Sequence, residues 1–139
     1  MQKNMAGYHY KLQIVPSEYS HWESTQPDSA MLEEWRLLLP KNTSWGETEE
    51  FRSEYNHSVL YIWWENSRVR SIQFEFAPIL KGTDTLLQNI LSLCQEYNYK
   101  IYSERTGSVV YPSRTELWAD FKSGHPFSIY ERQGWESFN

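Results

Sequence analysis

The segment that most constrains the fold is residues 58–78, with the sequence SVLYIWWENSRVRSIQFEFAP. Both halves are rich in β-branched and aromatic residues, which are enriched in β-strands. The polar pair Asn66-Ser67 separates the halves and is typical of a two-residue turn between antiparallel strands. The sequence therefore predicts a β-hairpin here, and this hairpin decides the fold class.

The rest of the chain alternates between strand and helix signals. The pairs Ser44/Glu47 and Ser113/Glu116 have the spacing of a helix capping box. An apolar stripe at helical spacing ends near Asn98, which is a plausible left-handed helix end. In order, the predicted elements beside the hairpin are a strand over 7–15, a helix from 28–29 to 40, a helix over 44–55, a helix over 82–98, strands over 99–104 and 108–111, and a helix over 113–124.

Consecutive strands with short connections predict an α+β fold, in which two layers pack as a sandwich. We expect a mainly antiparallel sheet of about four to six strands with the helices on one face. The strand-helix-strand-strand-helix-strand succession resembles a ferredoxin-like split. One domain is expected over 1–139, with residues 1–6 flexible. The segment 126–139 is too apolar for free disorder, so we expect it to dock on the body or to add one edge strand.

The hairpin also supplies the main candidates for a binding site. A regular ladder from the Asn66-Ser67 turn would place Trp63 opposite Arg70 and leave the first strand apolar on both sides. Such a strand is covered on both faces, or its second side is a binding patch. A slip of one residue would exchange these pairings. The candidate protein- or ligand-binding residues are Leu60, Ile62, Trp63, Trp64, Arg70, Gln73 and Glu75.

The acidic residues suggest a second kind of surface. The formal net charge is −5, and a cluster of acids lies within the segment predicted as the second helix. A negative field attracts a basic partner protein and disfavours nucleic-acid binding, although acidic runs are commonly just solvated helix faces. The acidic partner-binding candidates are Glu47, Glu49, Glu50 and Glu54.

No catalytic residue, metal site or cofactor is predicted. The four histidines have no metal-ligand spacing, and no nucleophile elbow or glycine-rich phosphate loop is present. The single Cys94 excludes an internal disulfide, and its place on an apolar helical stripe predicts a buried, inert thiol. No run approaches the roughly 20 apolar residues of a membrane span. Since the amino terminus also lacks a signal core, we expect no membrane association and a cytoplasmic location.

These observations leave three functional hypotheses. The favoured one is a small non-enzymatic domain that binds another protein with a basic surface, or a second copy of itself. A specific form of it is an immunity-type inhibitor of a basic toxin. The alternative is a small-ligand domain with Tyr61, Trp63 and Trp64 as pocket walls. The third is an enzyme with an unrecognised site involving His57 or Glu75.

Overall fold

In the part of the chain that the structure describes, six strands form one antiparallel sheet that packs against three helices. The computed structural model describes residues 9–17, 21–42, 44, 46–77 and 82–124. The predictions for segments 1–6 and 126–139 lie outside these residues. In chain order the elements are β1 Tyr10–Pro16, α1 Ser29–Trp35, β2 Thr48–Arg52, β3 Val59–Glu65, β4 Arg68–Phe76, α2 Thr83–Glu96, β5 Tyr99–Ser103, β6 Ser108–Val110 and α3 Arg114–Gly124.

The strand order across the sheet is β2-β3-β4-β1-β5-β6. The connection that contains α1 leads from β1 past β4 to the β2–β3 pair, and the one that contains α2 leads from β4 past β1 to β5. The first crossover therefore passes two intervening strands, β4 and β3, before the chain enters β2, and the second passes one, β1. Only β4 lies between β1 and β3, and only β1 lies between β4 and β5. This is the split arrangement that the predicted succession resembles, with β2 and β6 added at the two edges. The α+β prediction is confirmed.

The core lies between one face of the sheet and the helices. Directly paired strand residues share a face, so the register Leu12↔Phe74 and Ile14↔Ile72 identifies this covered face. All four of these side chains have zero solvent exposure and belong to one buried cluster with residues of all three helices. Among the described residues, the three helices thus cover one side of the sheet and leave its other side without a helix.

Hydrogen bonds attach α3 to this core. The hydroxyl of Tyr10 donates to the carbonyl oxygen of Leu117 at 3.2 Å and to the carboxylate of Asp120. At the start of the helix, the hydroxyl of Ser113 accepts a bond from the backbone N–H of Glu116 at 3.2 Å. That bond is half of the predicted capping box, and α3 begins and ends where the sequence places it.

Two helical predictions are corrected. The predicted helix over 44–55 is wrong, because residues Thr48–Arg52 form β2 instead. As a strand the segment gains a ladder with β3 and buries Phe51 opposite Leu60. The helix predicted to run to Pro40 ends at Trp35, because the chain must extend to pair Lys41 with Phe51. In both places tertiary pairing overrides a local helix signal.

The hairpin turn is confirmed, but the pairing beyond it is not. Asn66 and Ser67 have φ values of 53° and 62°, as a tight turn with two left-handed residues requires. Trp64 pairs with Val69 as predicted, whereas Trp63 pairs with Ser71. Arg70 is therefore an extra residue, a β-bulge in β4.

The bulge changes which side of the hairpin is apolar. Beyond it Ile62 pairs with Ile72 and Leu60 pairs with Phe74, all within the covered core. The predicted pairs of Ile62 with Ser71 and of Leu60 with Gln73 are therefore wrong. The physical reason is that the core accepts both Val69 and Ile72 only if one additional residue separates them on the strand.

Candidate functional site

A shallow groove lies on the side of the sheet that is turned away from the helices. It has a volume of about 460 Å³ and crosses strands β2, β3 and β4. A second depression of about 220 Å³ continues from it toward β1 and shares three of its residues. The larger of the two cavities is named here the open-face groove. Its lining residues are Thr48, Tyr61, Trp63, Ser71, Gln73 and Glu75.

The groove exists because a large side chain is flanked by small ones. Trp63 pairs with Thr48 on one neighbouring strand and with Ser71 on the other. Side chains of paired residues stand side by side on the same face, so the two small residues leave a hollow on each side of the indole. Trp63 is 42% exposed, which is unusual for so large an apolar residue in a sheet.

Polar side chains form the floor next to the indole. Gln73 pairs with Tyr61 on β3 and with Gln13 on β1, so amide and hydroxyl groups cross the middle of the face. Within the groove the amide nitrogen of Gln73 donates to the hydroxyl of Ser71 at 3.3 Å. A ligand at this position would meet one aromatic wall and several hydrogen-bonding groups, which is the usual composition of a binding site.

One end of the groove carries charged groups of both signs around Glu75. The His9 ring, whose Nδ1 lies 3.8 Å from Oε2 of Glu75, lowers the pKa of that carboxyl, and Lys11 and Arg52 act in the same direction while burial opposes them. Glu75 is therefore ionised at neutral pH. Burial raises the pKa of the Tyr61 phenol, and Glu75 adds to this. These directions suit a carboxylate acceptor and a neutral hydroxyl donor more than an acid–base pair that exchanges protons near pH 7.

The structure brings together some of the predicted binding residues and separates others. Trp63, Gln73 and Glu75 line the open-face groove, and Arg70 lines the adjoining depression. Leu60 and Ile62 are fully buried beneath the helices and are therefore unavailable as surface residues, which corrects their assignment to a surface patch. Trp64 is half-buried on the covered side, so it cannot be a wall of a pocket shared with Trp63.

The acidic candidates do not form one surface. Neighbouring residues of a strand face opposite sides, so Glu49 and Glu50 of β2 point away from each other. Glu49 accepts two hydrogen bonds of 2.9 Å from the guanidinium of Arg36 and one of 2.8 Å from the indole of Trp64. These contacts, the Arg36 bond first, lower the pKa of Glu49.

The other acidic candidates differ in their exposure. Glu50 is 7% exposed and lies 3.2 Å from Nε of Arg52, whereas Glu47 and Glu54 are exposed. The expectation of one solvated helix face is wrong, because the segment is a strand that alternates between two sides. Two of the four carboxylates are engaged by arginines of the same chain.

Sequence reasoning missed five residues that line this side of the sheet: Thr48 and Ser71 in the open-face groove, and Gln13, His21 and Glu23 in the smaller depression. Thr48 was not recognised because its segment carries a helix-capping signal. Ser71 was not recognised because the bulge at Arg70 changes its cross-strand partner. His21 lines the smaller depression from the loop after β1. The three-residue spacing between Val69 and Ile72 was a signal for the bulge, since strictly alternating residues cannot both face the core.

The remaining sequence predictions about chemistry concern histidine, cysteine and metal sites. Cys94 is buried, and burial raises the pKa of its thiol to about 12, as expected for an inert side chain. His57 is exposed in the loop before β3, and His125 lies outside the described residues. Across the described ranges, no group of three His, Cys, Asp or Glu residues has a geometry that could hold a metal ion.

No described helix is both long enough and apolar enough to cross a lipid bilayer. Comparisons of this chain with protein-family models, with curated proteins and with solved structures found no match.

Proposed function

We propose that this chain is a non-enzymatic binding domain that holds a segment of a partner protein on the open-face groove. The observation that carries the proposal is the exposure of Trp63 between two small neighbours on adjacent strands. Tryptophan, tyrosine and arginine are the residues that most often dominate protein interfaces. The groove offers a tryptophan and a tyrosine, and the depression next to it offers Arg70.

The shape of the groove supports an extended occupant. Small-ligand sites bury most of their ligand's surface. The open-face groove is a trough on a sheet surface that crosses three strands, so a chain segment could lie along it. The charged groups around Glu75 would form a polar end to such an interface.

The net charge of the chain indicates which kind of partner protein it would attract. The formal charge of −5 supports a partner with a basic surface, and an immunity-type inhibitor of a basic toxin remains one form of the proposal. Because Arg36 and Arg52 engage Glu49 and Glu50, that attraction would come from acids elsewhere on the molecule. The single buried cysteine requires no oxidising compartment, which supports the cytoplasmic location that forms part of the proposal.

The test is to compare partner capture by the wild-type chain and two variants. Trp63→Ala removes the aromatic wall, and Tyr55→Ala removes an aromatic residue that is 89% exposed but outside the groove. A partner that the wild-type chain captures should bind W63A about 30-fold more weakly, which corresponds to a hot-spot loss of about 2 kcal/mol. Y55A should bind it normally. Equal binding by all three proteins would refute the groove as the interface.

Small-ligand binding is the second candidate, because about 460 Å³ lies within the range of ligand pockets. Quenching or enhancement of tryptophan fluorescence in a metabolite screen would identify such a ligand, and W63A should abolish the response. A ligand that binds stoichiometrically through Trp63, in the absence of any partner protein, would replace the protein-binding proposal. The native mass at micromolar concentration separately tests whether the partner is a second copy.

A further inference from the structure

A second groove lies within the helical layer, on the other side of the molecule from the open-face groove. It runs between α2 and the turn that follows α1, and its volume is about 340 Å³. Leu37, Leu38 and Leu93 supply its apolar lining, and the carboxylates of Glu34 and Glu96 line it from the two helices. The combination of leucines and carboxylates distinguishes it from the mixed-charge groove on the sheet.

The apolar lining is unusually open to solvent. Leu37 is 83% exposed, while Leu38 is half-buried and Leu93 is 6% exposed. Backbone bonds from Leu37 to Glu34 and from Leu38 to Trp35 continue the chain as a tight turn beyond the helix. This turn holds Leu37 out at the groove while Leu38 packs against the core. The three leucines therefore form one apolar surface that runs from the exposed Leu37 to the buried Leu93, so Leu37 is not an isolated exposed side chain.

The two charged residues that line this groove, Glu34 and Glu96, are both acidic. Arg114 of α3 also contacts α2, but it does so at Gln88 and at the carbonyl oxygen of Asp84, outside the lining of the groove. Neither α1 nor α2 contains a lysine or an arginine, whereas together they contain the acids Glu33, Glu34, Asp84 and Glu96. The cation next to α1, Arg36, is engaged by Glu33 at 2.7 Å and by Glu49 at 2.9 Å. Glu34 accepts a hydrogen bond of 2.8 Å from the hydroxyl of Tyr97, which is a neutral donor.

From this arrangement we propose that the groove between α1 and α2 docks a cationic amphipathic segment of a partner protein. Leucine-like side chains of that segment would occupy the apolar lining, and its lysine or arginine side chains would reach Glu34 and Glu96. This is the helix-in-groove mode, in which apolar anchors give affinity and charges select the partner. A second copy would bring the same acids to the contact, and phosphate groups carry the wrong sign. This surface is independent of the open-face groove.

The first experiment asks whether the groove is open when all 139 residues are present. Cys94 is the only cysteine and is buried, so Leu37→Cys would introduce one accessible thiol. We expect L37C to react with a thiol reagent at the rate of a free cysteine, while the wild-type protein stays unreactive. Slow reaction of L37C at all protein concentrations would mean that the chain itself covers the groove, and this would overturn the proposal. Slow reaction only at high concentration would indicate a second copy and overturn it as well.

The second experiment uses a synthetic helical peptide of leucine and lysine in amphipathic order, titrated by calorimetry against the 139-residue chain. We expect saturable 1:1 binding, and at least about tenfold weaker binding of a peptide with the same composition in scrambled order. Leu37→Ser and the double variant Glu34→Gln/Glu96→Gln should each weaken binding by about tenfold or more. Added salt should weaken it further.

Two controls separate a specific site from general attraction. The double variant Glu104→Gln/Glu116→Gln removes the same charge from exposed positions outside the groove, and it should bind the peptide like the wild-type protein. W63A should also bind the peptide normally. Failure of partner binding at the open-face groove and failure of peptide binding at this groove can therefore be told apart. Equal binding of the scrambled peptide, or an equal loss in both double variants, would show a response to net charge alone and refute the site.

Discussion

Replacing Glu49 by glutamine tests whether the acidic segment of β2 is structural. In the folded protein Glu49 accepts two bonds of 2.9 Å from Arg36 and one of 2.8 Å from Trp64. Glutamine has nearly the same size but only one acceptor oxygen, and its NH₂ group is a donor. In Glu49→Gln that donor must face another N–H donor, so at least one of the three bonds is lost and the charge attraction to Arg36 disappears.

The expected loss of stability follows from the type and exposure of these bonds. Hydrogen bonds to a charged group each contribute about 1.5–3 kcal/mol. The side chains of Glu49 and Arg36 are 20% and 29% exposed, so solvent screens the pair only in part. We therefore expect E49Q to lower the free energy of unfolding by about 2 kcal/mol. For a chain of this length, that corresponds to a decrease in Tm of roughly 6 °C.

The pH dependence provides a second, independent signature. Arg36 lowers the pKa of Glu49 in the folded state below its value in the unfolded chain. A carboxyl of this kind contributes stability that is fully present above the unfolded pKa, about 4.3 for glutamate. The contribution is lost as the pH falls through the folded pKa. The difference between wild type and E49Q should therefore be complete at pH 7 and disappear in acid, where Glu49 is protonated.

The assay is urea unfolding of both proteins across this pH range, followed by circular dichroism. Glu47→Gln is the matched control, because Glu47 is exposed, carries the same charge and lies two residues away. It should change the stability by less than about 0.5 kcal/mol. If E49Q changed the stability no more than E47Q, or if its effect persisted unchanged below the folded pKa, the structural role assigned to Glu49 would be wrong.

Three further outcomes follow from the fold. Deleting Arg70 should lower the free energy of unfolding in urea by less than about 1 kcal/mol, because the deletion removes the bulge and keeps the strand register on both sides of it. Deleting Gln73 should lower it by about 3 kcal/mol, because the buried Ile72 would move to the open face of the sheet. Equal losses for the two deletions would contradict the register. Tyr10→Phe should lower the free energy of unfolding by about 1–2 kcal/mol, since the hydroxyl bonds that attach α3 are lost, and an unchanged Tm would argue against that attachment. Cys94 should stay unmodified by a thiol reagent in the native protein and react fully in urea, because burial raises the pKa of its thiol to about 12. Rapid reaction in the native protein would show that the buried face of α2 becomes exposed to solvent.

The elements that the sequence predicts well are those whose signals are local. The end of α2 is one example, because Asn98 adopts the left-handed conformation, with φ of 59°, that its position after the helical stripe indicates. The hairpin turn is another, because Asn66 and Ser67 both adopt positive φ. In each case a few neighbouring residues favour one backbone conformation, and no distant contact opposes it.

The candidate site was only partly accessible from the sequence. Trp63, Gln73 and Glu75 were selected for their chemistry, and the structure places them together on one face. Leu60 and Ile62 were selected with them because the assumed register placed them beside polar residues. Chemistry can be read from single residues, but the face on which a residue lies depends on every pairing between it and the turn.

The amino-acid pattern alone determines that this chain forms a hairpin-centred α+β fold, because turn residues, helix ends and apolar periodicity act over a few positions. The tertiary structure decides the rest. Pairing with β3 makes a strand of Thr48–Arg52, and burial of both Val69 and Ile72 forces Arg70 out of the ladder. The strand pairing and the burial of these two side chains together form the open-face groove, because they place Thr48 and Ser71 on either side of Trp63. A core is filled by residues far apart in the chain, so only the folded molecule can determine which side of a strand becomes surface.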